Sequence, residues 1–212
     1  DVERSRGLGD VYKRQISIVG VSKKKSLEDI LSLYELGLRD FGENYAQELS
    51  EKSLALNSKK IRWHFMGPIQ TNKIGLIVKN SYLVHSVDRE KVVKKMDLES
   101  KKTNKIQKVL VQVNISGEAS KSGIFPGDAE EFIDFVESFD NLELAGLMFM
   151  PNINQDKVSH IKEIRDSVAL FNDMKAKKRN IQVLSLGTSS DYKECIKACL
   201  LYTSDAADEE DS

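Results

Sequence analysis

Between Ile16 and Ala198, short apolar or β-branched runs alternate with longer segments in which apolar residues recur every three or four positions. A strand covered on both faces reads as a near-continuous apolar run, and a helix packed on one side reads with a 3.6-residue period. "ISIVGVS" is such a strand. Ser26 then caps "SLEDILSLYELG", whose Leu27, Ile30, Leu31 and Tyr34 share a face and which Gly37 ends. The rhythm repeats with "RDFGEN" and a helix over 45–55, "IRWHFMG" and a helix from about Gln70, and "YLVHSVD" and a charged helix over 89–101. It continues with "QKVLVQVNI", a Gly/Ser loop and the helix "DAEEFIDFVESF", then "LELAGLMFM" and a helix over 157–177, and last "QVLSLG" with a helix starting near Ser189.

Seven strand–helix pairs of similar size, with no linker between them, predict an α/β chain folded as a TIM-type (β/α)8 barrel. A full barrel has eight strands, so this one is expected to be incomplete, with about seven strands, short by roughly one strand and its helix. An open doubly wound sheet would place a glycine-rich G-x-G-x-x-G turn after the first strand, where "VSKKKS" stands instead. The edges left at strands one and seven would weaken ligand binding at the barrel mouth.

The two ends break the rhythm. Ser5 to Gln15 reads, codon for codon, as a sequencing-library adapter ending GATGTGTATAAGAGACAG, and Cys199 to Glu209 as the reverse complement of its companion. Residues 1–15 and 199–212 are therefore expected to be adapter-derived or unassigned, and 16–198 to be the barrel domain. The 212-residue chain carries a net charge of −1; residues 1–15 contribute +1 and 199–212 contribute −5, leaving +3 on the domain. That balance argues against a duplex nucleic-acid partner. No apolar run approaches the roughly eighteen residues of a membrane span and no secretory leader precedes the first strand, so a cytoplasmic location is expected. Cys195 and Cys199 have no partner cluster, and His64, His85 and His160 show no metal-ligand spacing, so no metal is expected.

In a β/α barrel the chemistry gathers at the C-terminal ends of the strands. There stand Ser22 and Lys23, Glu43 and Asn44, His64 and Gly67, Ser86 and Asp88, Asn114, Met148 and Met150, and 187–191. A lysine directly after an apolar strand points to the mouth, where partial desolvation would make its amine a nucleophile toward carbonyls. Lys23 to Lys25 also read as one solvated basic loop. In "GTSSDY", Gly187 frees the backbone, Ser189 and Ser190 offer hydroxyls, and the next helix presents unpaired N–H groups, a combination that seats phosphate; a serine there also serves as a simple N-cap. Together, Lys23 and the seryl turn suit an aldehyde that carries a phosphate. His64 alternates with Trp63 and Phe65, as a packed, hydrogen-bonded histidine would, or a polar residue at the mouth.

Seven ordered motifs, "VGVSKKKSLEDI", "RDFGENYAQEL", "WHFMGPIQTNK", "VHSVDR", "VLVQVNISGEASKSGI", "LAGLMFMP" and "LSLGTSSDY", resemble those of the pyridoxal phosphate homeostasis protein family. The resemblance covers essentially all of 16–198. It implies a single barrel like the N-terminal domain of alanine racemase, with pyridoxal 5′-phosphate (PLP) held as a Schiff base. It places the cofactor lysine at Lys23 and the phosphate-binding serine at Ser189, beside Ser190, with Asn44 and His64 at further mouth positions. Lys24 stands where the family usually has Thr. The resemblance implies that the family's last barrel strand, with its R-I-G-T motif whose arginine faces the pyridine nitrogen, and its first helix, before strand one, are missing here. The function implied is to hold PLP and deliver it to apo-PLP enzymes within the cell, as a monomer without robust turnover, with neither nucleic acid nor membrane as partner. The alternative is a PLP-dependent amino-acid racemase-like enzyme, for which a base on each cofactor face would be required.

Overall fold

The computed structural model describes residues 16–118, 121–178 and 180–199; the expected adapter tails, apart from Cys199, lie outside them. Seven strands form one parallel sheet in sequence order: β1 (Gly20–Val21), β2 (Asp40–Glu43), β3 (Arg62–Phe65), β4 (Leu83–Val87), β5 (Gln107–Val113), β6 (Leu142–Phe149) and β7 (Val183–Ser185). The connecting helices are α1 (Leu27–Glu35), α2 (Ala46–Ala55), α3 (Ile74–Asn80), α4 (Glu90–Lys102), α5 (Ala129–Glu137) and α6 (Lys157–Lys177), and residues 192–199 are helical after β7. The incomplete β/α barrel expected from the sequence is the fold.

Local chemistry explains the boundaries. Ser26 caps α1 in a reciprocal box with Asp29, and the Asp156 carboxylate accepts from Val158 N and Ser159 N to start α6. Two expectations shift. Only Gly20 and Val21 of "ISIVGVS" pair as strand, because among the described residues β1 has β2 alone as neighbour. The helix expected from Gln70 opens as a 3-10 turn, Thr71–Lys73, before α3.

Alternation along the strands divides the interior into two compartments. Phe41, Trp63, Phe65, Val84, Val109, Val111 and Val113 face outward and bury against Ile30, Leu49, Ile77 and Ile133 of the helices. The inward set is smaller: Leu83, Leu110 and Met148 pack around Ala145 in a separate lumen cluster. Around it lie inward polar residues, and one contact measures the sheet's curl. His85 Nδ1 of β4 is 2.8 Å from Ser185 Oγ of β7, so the sheet bends far enough for these strands to meet across β5 and β6.

Candidate functional site

At the C-terminal end of β1, Ser22 turns toward Glu43, and Lys23 follows in the turn after the strand. Lys23 is exposed and has no hydrogen bond or ion pair among the described residues, so its amine is free. The partial desolvation expected of it is not what the structure shows. The loop that carries it is held from below. Lys52 Nζ of α2 donates to Ser22 O (2.6 Å), Glu43 Oε1 (2.8 Å) and Glu48 Oε1 (2.7 Å), and Ser22 Oγ donates to Glu43 Oε1 (2.6 Å). Glu48 Oε1 also accepts from Lys24 N at 2.6 Å. Lys24 is left-handed (φ 60), a conformation that costs a non-glycine residue about 1–2 kcal/mol. The Glu48 carboxylate therefore offsets the strain that turns the chain at Lys23. Burial pushes the Glu43 carboxyl up, against the hydrogen bonds from Lys52 and Ser22.

Asn44 follows β2 at the mouth, half-buried, and its backbone fixes the next strand end. A Cβ on Gly67 would stand 2.0 Å from Asn44 O, so only glycine fits where the chain after β3 crosses the chain after β2. Ser86 Oγ donates to Gly67 O at 2.6 Å and holds that crossing in place.

After β7, Gly187 is left-handed (φ 95) and turns the chain into residues 188–191. Asp191 is buried and its Oδ1 accepts from Thr188 N (2.6 Å) and Thr188 Oγ1 (2.7 Å). Its Oδ2 lies 3.2 Å from His160 Nε2, and His160 Nδ1 is 2.9 Å from Asn152 O. Asp191 thus locks the turn from inside while Ser189 and Ser190 stay exposed. Ser190 Oγ is 2.8 Å from Thr188 Oγ1. This donor set, two exposed hydroxyls at the start of a helix after a left-handed glycine, fits a phosphate ester, and the Lys23 amine fits an aldehyde.

His64 is the packed, hydrogen-bonded histidine of the strand reading, deeper than the mouth position that the resemblance gives it. It is buried, and both ring nitrogens are engaged by protein: Nε2 is 2.9 Å from Asp40 Oδ1 and Nδ1 is 2.8 Å from His85 Nε2. Arg62 grips Asp40 with two charge-assisted bonds, Nε to Oδ1 at 2.6 Å and Nη2 to Oδ2 at 2.5 Å. Burial works against the Asp40 charge, but the bonds from Arg62 and His64 outweigh it and hold the carboxyl below its ordinary value. Burial pushes the His64 imidazole down against the pull of Asp40, and pushes His85 down to about 3 with His64 adding to the effect. Sequence reasoning missed Asp40, His85 and Ser185 in this network, and Lys52 and Glu48 under the lysine loop.

A pH dependence follows. Unfolded, His85 takes a proton near pH 6.5; folded, it refuses one until about pH 3. Its contribution to stability is therefore present above pH 6.5 and lost as pH falls toward 3, at about 1.4 kcal/mol per pH unit. Glu43, with its folded value raised above 4.5, works in the opposite direction just above that pH. Urea melts are expected to show lower stability at pH 5 than at pH 7, and His85→Phe to flatten the profile. An unchanged profile in the variant would exclude His85 as the cause.

The class is that of the alanine racemase N-terminal-domain barrels. The sequence model described as "Alanine racemase, N-terminal domain" matches residues 11–202. The pyridoxal phosphate homeostasis protein of Vibrio alginolyticus is 36% identical over 187 residues, covering 86% of this chain and 80% of that protein. The chain belongs to the pyridoxal phosphate homeostasis protein family. Among solved structures, PipY of Synechococcus elongatus PCC7942 without PLP superposes with a TM-score of 0.81 at 22% identity, covering 90% of this chain and 92% of the other. The PLP-bound structure of the same protein gives 0.78 at 21% identity, over 90% and 92%. These likenesses show the fold. No helix among the described residues is long and apolar enough to cross a membrane, and no cluster of His, Cys, Asp and Glu among them could hold a metal ion.

Proposed function

We propose that this chain binds PLP and serves its storage and delivery inside the cell, as the names of its relatives and the PLP-bound PipY structure suggest. The observation that carries this reading is the free Lys23 amine on a barrel whose last described strand ends in an exposed seryl turn. Lys23 holds the aldehyde carbon as a Schiff base, Ser189 and Ser190 with the neighbouring amides hold the phosphate, and Asn44 borders the mouth. His64 supports the site from beneath. Bound, the cofactor supplies a reactive aldehyde on an electron-withdrawing ring. The described lumen has no free basic side chain beside Lys23 to serve as a second proton carrier, since both ring nitrogens of His64 and His85 are engaged. Holding the aldehyde, rather than turning over amino acids, is the role these residues support. The recipients proposed are apo-PLP enzymes, and the carrier is proposed to be monomeric.

Borohydride reduction of the chain in excess PLP should attach the cofactor to Lys23, read by peptide mass, and Lys23→Ala should abolish that adduct. Retention of the adduct at an unchanged level would overturn the assignment. Incubating the loaded chain with each enantiomer of alanine in deuterated water should give negligible α-proton exchange; rapid exchange would favour the racemase-like alternative.

A further inference from the structure

The lumen network has a direction that its atoms dictate. Asp40, held ionised between two Arg62 bonds, can only accept, so His64 Nε2 carries a hydrogen. Neutral His64 then has a bare Nδ1, and the atom 2.8 Å from it, His85 Nε2, must be its donor. The same rule leaves His85 Nδ1 bare, and Ser185 Oγ donates to it at 2.8 Å. Four strands are joined in sequence, with hydrogens pointing one way from Ser185 through His85 and His64 to Asp40. The aromatic edge of Tyr82 covers His64, at 5.8 Å between ring centroids, and Arg62 is the cation nearest the relay's anionic end.

The relay ends where the fold needs an anchor. β7 is three residues long and pairs with β6 alone among the described residues. Ser185 is its last residue, two before the left-handed Gly187 and four before Ser189. From the far side the same turn is fixed by Asp191 on Thr188. The segment carrying the exposed serines is thus pinned at both ends, once by the lumen and once by the buried carboxylate.

We propose that Asp40, His64, His85 and Ser185 are positioning residues whose one-way relay sets β7, and through it the 187–190 turn, to receive the phosphate ester of the ligand. The inference rests on the PLP reading above. It assigns the relay to the phosphate end of the ligand and not to the aldehyde end, because β7 carries the seryl turn while Ser22 and Lys24, on either side of Lys23, are held by the separate Lys52, Glu43 and Glu48 cluster.

The test compares PLP with pyridoxal, which has the same aldehyde and no phosphate, on the full chain and on His85→Phe, Ser185→Ala and Ser185→Thr. Circular dichroism confirms that each variant is folded. His85→Phe and Ser185→Ala are expected to weaken PLP binding by about tenfold or more, the scale of one lost buried hydrogen bond, and to change pyridoxal binding by less than about twofold. Ser185→Thr, which keeps the hydroxyl, is expected to retain PLP binding. Long-range nitrogen–proton spectra of the ligand-free chain should show both His64 and His85 as neutral Nε2–H tautomers at pH 8, with His85 keeping that form down to pH 5. An Nδ1–H tautomer at His85, equal losses for the two aldehydes, or no loss for either would overturn the relay. Should the parent chain take up neither PLP nor pyridoxal, the cofactor reading fails instead, an outcome the tautomer spectra keep distinct from failure of the relay.

Discussion

Gly146→Ala is expected to unseat β7 and to lower the melting temperature by roughly 10 °C, from a loss of about 3 kcal/mol. The residue sits where β6 passes β7, and a Cβ there would stand 1.8 Å from Val183 O, 2.7 Å from Val183 C and 2.8 Å from Val183 N. All three atoms are backbone, so no side-chain rotation relieves the clash and β7 must move by more than an ångström. The pairs Gly146 with Val183, Leu147 with Leu184 and Met148 with Ser185 are those by which β6 holds the strand. Amide exchange over 183–187 should accelerate beyond any change in β2 to β4, because those strands pair independently of β7. Gly127→Ala is the control: a Cβ there meets nothing within 4 Å, and its melting temperature should stay within about 2 °C of the parent. Equal stability of the two variants would show that the sheet yields at Gly146.

The fold was legible because a parallel barrel writes its pattern plainly. Strands covered on both faces, such as "KVLVQV", stand out as apolar runs, and helices such as "DAEEFIDFVESF" carry an unmistakable 3.6 period. What the pattern blurred was the depth of single polar residues within those runs. His64 between Trp63 and Phe65 could be read as a packed, hydrogen-bonded residue, but nothing in the runs around Asp40 or Ser185 marked either as its partner in a network. The barrel turns all three inward. His85 and Ser185 lie 100 residues apart, and only the curl of the sheet, which no local window encodes, brings them to 2.8 Å.

Candidate site residues could be named at strand ends, and their supports beneath could not. Lys23 and the 187–190 turn could be named because function gathers where barrel strands end. Lys52 looks like one more solvated lysine in "AQELSEKSLA", yet it shares a buried face with Ala46 and Leu49 at intervals of three. The spacing from Glu48 to Lys52, four residues along a helix, was the available signal, and it gave a surface ion pair as readily as a buried one.

That support should prove the most sensitive charge in the molecule. Lys52 and Glu43 have side chains 8% and 0% exposed, and Glu43 Oε2 has no hydrogen-bond partner of its own, so its charge depends on the ammonium at Oε1. Lys52→Met is expected to cost about 3–5 kcal/mol, the penalty of leaving a buried charge without its partner. With the ammonium gone the Glu43 carboxyl is driven further up, so the variant's deficit should widen as pH rises through that value: the folded state then holds a proton that the unfolded chain gives up near 4.5. Denaturant melts should accordingly show a smaller gap from the parent at pH 5 than at pH 8. Removing the anion as well, in Lys52→Met with Glu43→Leu, should recover most of the loss, since a buried ion pair and a well-packed apolar pair differ little in net stability. The double variant would still lack the ammonium that draws Ser22 O and Glu48 toward one point, leaving Glu48 without the cation that steadies its hold on Lys24. Stability restored with borohydride trapping at Lys23 still weakened would therefore identify the ionic cluster as the element that aims the lysine rather than one that merely holds the fold.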